Sequence, residues 1–95
     1  MPKLVSIKKS EKPDKKLVAT FKEDGRERRV HFGARGMDDY TLTKDKEQRS
    51  RYRKRHAKDL IGDPTKAGYL SYHVLWGDST SREKNISEYK KKFKL

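Results

Sequence analysis

Six cationic side chains, Arg49, Arg51, Arg53, Lys54, Arg55 and Lys58, stand between positions 49 and 58 with no carboxylate among them. Guanidinium and ammonium groups at this density neutralise phosphates and release condensed counterions. The chemistry they point to is binding to a nucleic-acid backbone, with an affinity that falls steeply with salt. Arginine adds paired contacts to one phosphate that lysine cannot make. Arg26, Arg28, Arg29 and Arg35 would extend this surface from a preceding hairpin, and Lys90, Lys91 and Lys92 from the far end of the chain. A solvated charged helix is the plainer account of the same run. Phe32 and Tyr40 have rings that can stack on bases, although core or loop packing is the commoner role for such residues. No helix-turn-helix, zinc-finger or RRM signature is present, so contacts to the backbone with little sequence preference are expected, to DNA or RNA alike.

Other chemistries have weaker support. His31, Asp38, Asp39, Tyr40, His56 and His73 are the polar groups from which a nuclease would draw a general base and a carboxylate-held Mg²⁺. Adjacent carboxylates in a loop, however, usually point apart or cap a helix. His56 and His73 both fall in helical segments where a hydrogen-bonded structural role is commoner. No His-x-x-x-His pair, paired-carboxylate helix motif or phosphate-binding Gly-rich loop occurs. The chain is therefore expected to have no enzymatic activity, no cofactor and no metal site. The basic segment lacks the broad apolar face of a membrane-surface helix, and no apolar run reaches the length of a membrane span.

The composition sets the frame for these groups. The 95 residues are 31% hydrophobic and 42% charged and carry a net charge of +12. That allows one small domain, 1–95, with a modest core. So large an excess repels itself unless a polyanion shares the surface. Cysteine is absent, which removes disulfides, thiolate-held zinc and thiol nucleophiles.

The expected fold is α+β: an N-terminal three-stranded antiparallel meander packed against three C-terminal helices. Strands are expected within Lys3–Ser10, Lys16–Lys22 and Glu27–Gly33, with Pro13-Asp14 and Asp24-Gly25 as turns. Period-two alternation places Val5 and Ile7 on one face. In the loop over 33–43, Met37, Tyr40 and Leu42 are worth burying. The basic helix should be capped by Asp45, with Gln48 as reciprocal partner, and should end near Ile61-Gly62. Tyr52, His56 and Leu60, at i, i+4 and i+8, form its docking stripe, leaving Arg49, Arg53 and the other cations outward. Asp63-Pro64 opens a central packing helix running to Trp76, and Thr80 with Glu83 forms a capping box for the last helix. The expected core is Val5, Ile7, Leu17, Ala19, Phe21, Val30, Phe32, Leu70, Val74, Leu75, Trp76, Ile86, Tyr89 and Phe93.

Five stretches in order carry a family resemblance: K-L-V-S-I-K-K-S-x-K-P-D-K-K at 3–16, V-H-F-G-A-R-G-M-D-D-Y-T at 30–41, R-Y-R-K-R-H at 51–56, D-P-T-K-A-G-Y-L-S-Y-H-V-L-W-G at 63–77 and S-x-x-x-x-I-S-E-Y-K-K-K-F at 81–93. Together they resemble a small uncharacterised family of basic proteins from nucleocytoplasmic large DNA viruses, the giant viruses of algae and protists. The chain departs from that pattern at 57–61, where similar members carry further acidic and aromatic residues. The resemblance implies a viral source; with no apolar run of membrane-span or signal length, the expected location is the virion or the cytoplasm or nucleus of an infected cell, without secretion. The resemblance also implies a role in genome handling, or else as a minor capsid or scaffold protein bridging larger viral structural subunits.

Overall fold

Asp24 and Gly25 both take positive φ, 52° and 79°, and bring Glu23 opposite Arg26 across a two-residue turn. Turns of this hand match the twist of the strands they join, and glycine enters the region at no steric cost. The turn links β2 (Lys15–Glu23) to β3 (Arg26–Ala34), while β1 (Lys3–Lys9) pairs antiparallel with the other side of β2. The computed structural model describes residues 2–95, the side chain of Asp59 apart. The expected three-stranded meander is present, in the order β1-β2-β3, and helices follow it, so the chain is α+β.

One face of the sheet carries the core. Leu17, Ala19 and Phe21 of β2, with Leu4 and Phe32 beside them, pack under Leu70, Val74, Leu75, Trp76 and Tyr89. Ile7, Val30, Ile86 and Phe93 are partly buried against this cluster. Val5 departs from the expected alternation. Leu4 pairs with Phe21 and Ser6 with Thr20, which makes Val5 the extra residue of a β-bulge, 55% exposed. Leu4 takes the inward place assigned to it. Met37 (65%) and Leu42 (58%) are also exposed, whereas Tyr40 is buried.

Helix boundaries follow local hydrogen bonds, and several differ from expectation. Asp39 caps a single turn, α1 (Tyr40–Thr43). Asp45 caps α2 (Lys46–His56) by accepting from the N–H groups of Glu47 and Gln48. Gln48 does not reciprocate; its Oε1 accepts from Thr43 Oγ1. α2 gives way to one tighter turn at Ala57–Asp59 and so stops short of Ile61-Gly62. Asp63 builds a turn with the N–H and hydroxyl of Thr65, and α3 (Ala67–Leu70) begins later, without a side-chain cap. α3 widens into a π-helical turn over Ser71–Leu75, closed by the Trp76 N–H on Ser71 O. This wider turn lets Val74, Leu75 and Trp76 all enter the core. α4 (Arg82–Phe93) is capped by Ser81, whose Oγ accepts from the Lys84 N–H, one residue beyond the box expected at Thr80.

Two polar clusters fix these elements against the sheet. Buried Asp39 accepts from the Thr41 N–H and hydroxyl, from Lys16 Nζ of β2 at 2.5 Å and from Arg82 Nη2 of α4 at 3.3 Å. Burial alone would raise its pKa. The hydrogen bonds from Lys16 and Thr41 and the charges of Lys16 and Arg82 outweigh that and hold it below the usual carboxylate range. In the second cluster, buried Asn85 of α4 donates to Val74 O at 3.0 Å and Ser79 O at 2.7 Å, and accepts from the Ser79 N–H. Gly77 lies directly beneath it. A Cβ there would sit 2.3 Å from His73 O and 2.6 Å from Asn85 Cγ.

Gly77→Ala should therefore destabilise the fold by about 2 kcal/mol or more, read as a lower urea midpoint at unchanged slope. A pH dependence follows from His73, which lies among the rings of Tyr69, Tyr72, Tyr89 and Phe93. Burial, reinforced by the charges of Lys92 and Arg53 against a weaker opposing effect of Asp78, lowers its pKa to about 4. Between the ordinary histidine value of about 6.5 and that folded value the unfolded chain binds more protons, so stability should fall as pH drops through this window. Asp39 extends the loss to lower pH, because its depressed pKa favours the fold only while it is ionised. Thermal melts from pH 7 to pH 3 should show both stages, and His73→Phe should flatten the first.

Candidate nucleic-acid interface

The sequence 46–56 has no apolar stripe, and no residue of α2 is buried. α2 is held instead by side chains that are polar at the tip. Arg49 Nη1 donates to Asp78 O at 3.0 Å and, more weakly, to Gly77 O at 3.4 Å, while its guanidinium lies over the Tyr40 ring at 4.6 Å. Arg53 Nε donates to Trp76 O at 2.8 Å, and its Nη2 pairs with Asp78 Oδ1 at 3.0 Å. Tyr52 stacks on Trp76 with ring centroids 4.3 Å apart and 8° between planes, and His56 stacks on Tyr52 at 4.2 Å. Arg49, Tyr52, Arg53 and His56 are spaced i, i+3, i+4 and i+7, one side of a helix.

This revises the expected division of α2. Tyr52 and His56 dock as expected, but Arg49 and Arg53 dock with them. Trp76, expected in the core and buried there, also supplies the surface that Tyr52 meets.

Arg51, Lys54, Arg55 and Lys58 repeat the same i, i+3, i+4 and i+7 spacing on the opposite side. All four are exposed. Among the described residues, none of the four takes part in an ion pair or a side-chain hydrogen bond. Arg51, Lys54 and Arg55 lie on α2 and Lys58 in the tighter turn that follows it, and together the four span ~10 Å. Glu47 stands at the N-terminal end of the same stripe, where it complements the helix dipole.

Three of the four hairpin arginines, Arg28, Arg29 and Arg35, belong with the structural group, whereas Arg26 is exposed. Arg28 donates to Thr65 Oγ1 at 2.5 Å and lies over Phe21 at 5.7 Å, pinning the turn at 63–65 to β3. Arg29 pairs with Glu11 at 2.7 Å; hydrogen bonding to Arg29 is the main cause of the lowered Glu11 pKa. Arg35 donates to Lys15 O and Ser10 O and so clamps the β1–β2 connection to the end of β3. Among the cations named from sequence as phosphate contacts, Arg28, Arg29, Arg35, Arg49 and Arg53 have internal partners. Arg51, Lys54, Arg55 and Lys58 remain as the outward group.

The other candidates are also placed. Phe32 is in the core and Tyr40 lies beneath Arg49, so neither presents a face to a base. Asp39 is fully engaged, while its neighbour Asp38 is exposed. His31 Nδ1 lies 2.7 Å from Ser10 Oγ. Among the described residues, no group of three or more His, Asp or Glu is placed to hold a metal ion, and no helix is long and apolar enough to cross a membrane.

Fold and surface together define a small α+β protein in which a cationic helix is fastened by one face and presents the other outward. The chain belongs to the family of unknown function DUF5754, whose model matches residues 5–56. That span runs from β1 to the last residue of α2. It therefore includes the whole docked face of α2 and its outward cations, but not Lys58 in the turn that follows. No curated protein and no solved structure matches the chain.

The two faces should respond differently to truncation. Arg53→Ala removes a charge-assisted bond to a helix-end carbonyl and should cost about 1.5–3 kcal/mol of unfolding free energy. Arg51→Ala, on the outward face, should stay within about 0.5 kcal/mol of the parent in the same denaturation measurement.

Proposed function

We propose that this protein binds nucleic acid through phosphate contacts from Arg51, Lys54, Arg55 and Lys58, with little sequence preference. The observation that carries this reading is the separation of α2 into two faces. The arginines on one side satisfy carbonyls of the fold, and the cations on the other have no internal role. Four unpartnered cations on one rigid stripe, in a chain of net charge +12, form a surface whose self-repulsion a polyanion relieves. A stripe on a folded helix also offers fixed spacing, which a disordered basic tail lacks. Contacts of this kind position a backbone without reading bases. In the viral family that the sequence resembles, such binding would serve genome handling or packaging.

The alternative role, a minor capsid or scaffold protein bridging larger virion subunits, would use the free edge of β1 for strand addition. The bulge at Val5 interrupts that edge, and bulges are a common means of blocking such addition. The structure thus favours the phosphate-binding reading.

Titration of duplex DNA at several salt concentrations tests it. Four phosphate contacts give a slope of log K against log salt of about −3 to −4. The triple variant Arg51→Glu, Lys54→Glu, Arg55→Glu should make that slope shallower by about three while keeping the helical circular-dichroism signal. A flat salt response, or no binding at low salt, would remove the proposal and leave the bridging role.

A further inference from the structure

Beside the cationic stripe lies a cleft of about 510 Å³ between the loop over 33–39 and α2. Its size falls in the range of small-ligand sites, about 300–1,000 Å³. The stacked rings of Trp76, Tyr52 and His56 contribute to its lining, along with Met37, Asp38 and Arg55. The charges in this lining are separated by function. Arg55 belongs also to the outward stripe, whereas Asp38 brings an exposed carboxylate to the loop side. Lys16, which also contributes to the lining, is paired with Asp39. A phosphate is attracted to Arg55 and repelled by Asp38. A neutral base has the opposite fit: aromatic and thioether surface to lie against, and a carboxylate that accepts from ring or exocyclic N–H groups.

We infer that the cleft receives an unpaired nucleobase while its phosphate is held at Arg55, so that the ligand of the α2 surface is single-stranded nucleic acid in preference to duplex. This rests on the phosphate-binding reading and adds the class of strand. Bases in a duplex are stacked on one another and cannot enter. A single strand can turn one base into the cleft and keep its backbone along Arg51, Lys54 and Lys58. His56 is braced by Tyr52 and through it by Trp76, so the aromatic wall is built before a base arrives.

The full chain is titrated with a mixed-sequence single-stranded DNA, with the duplex formed from it and its complement, and with inorganic polyphosphate as a base-free polyanion. The single strand should bind about tenfold more tightly than the duplex at equal salt. In proton NMR spectra, the ring resonances of Tyr52, His56 and Trp76 should shift with the single strand and not with polyphosphate. His56→Ala should bring the ratio of single-strand to duplex affinity close to one. Equal affinity for strand and duplex, or equal ring shifts with polyphosphate, would overturn the base-binding cleft and leave the phosphate reading standing. No binding of any of the three at low salt would overturn that reading instead. The ring shifts are read on the unaltered protein, so the outcome does not depend on how well His56→Ala folds.

Discussion

The end of the π-helical turn leaves carbonyl groups without partners, and their satisfaction is the constraint on which the rest of the molecule depends. A helix terminus exposes its last carbonyls, and burying them unpaired is costly. Here Trp76 O takes a hydrogen bond from Arg53, Asp78 O from Arg49, and Val74 O and Ser79 O from Asn85. Three side chains from two other helices thus converge on one short segment. The positive charge of the two arginines also suits the negative end of a helix dipole. Gly77 lets the elements close around this point, since any side chain there would meet backbone.

This constraint explains how a helix with so few apolar residues keeps a defined place. Most helices in small domains are held by an apolar stripe. α2 has none. Its position rests on guanidinium groups, a stacked tyrosine and a cation over a ring, interactions whose geometry is more directional than simple burial. Because the docked face needs a single turn-to-turn stripe, the opposite stripe is released from any role in packing. A conventional amphipathic helix would have placed leucines where Arg49 and Arg53 now stand, and the cationic density of the segment would then have been lower.

Much of the sheet was legible in the chain, and less of the helices. Asp24-Gly25 is a strong local signal because the turn requires positive φ, and the strands around it follow. Asp45 at the start of α2 is equally local. What could not be read depended on tertiary contacts. The Val5 bulge arises from pairing with β2 and leaves no mark beyond a run of Leu4-Val5, which alternation reads in the wrong phase. The π turn at 71–75 satisfies an ordinary helical pattern, so the place of Trp76 beside Tyr52 was hidden. The late start of α3 reflects Thr65 drawing Asp63 into a tight turn, a competition that the Asp-Pro signature does not reveal. At the site, the run of cations was plain and the i, i+4 relation of Tyr52 and His56 was correctly assigned to docking. That Arg49 and Arg53 belong with them needed the carbonyls of another segment, thirty residues away at most and invisible to local periodicity.

The two kinds of arginine on α2 differ in what could replace them. A lysine on the outward face keeps its charge and its reach toward a phosphate. At Arg49 and Arg53 it would not serve, because one ammonium group cannot lie flat on a ring or aim fixed donors at a carbonyl and a carboxylate together. Drift from arginine to lysine along this helix, at constant total charge and unchanged isoelectric character, would therefore be harmless in one register and disabling in the other. Overall basicity is a poor guide to kinship among such chains; the arginines at the two inward positions are the better signature.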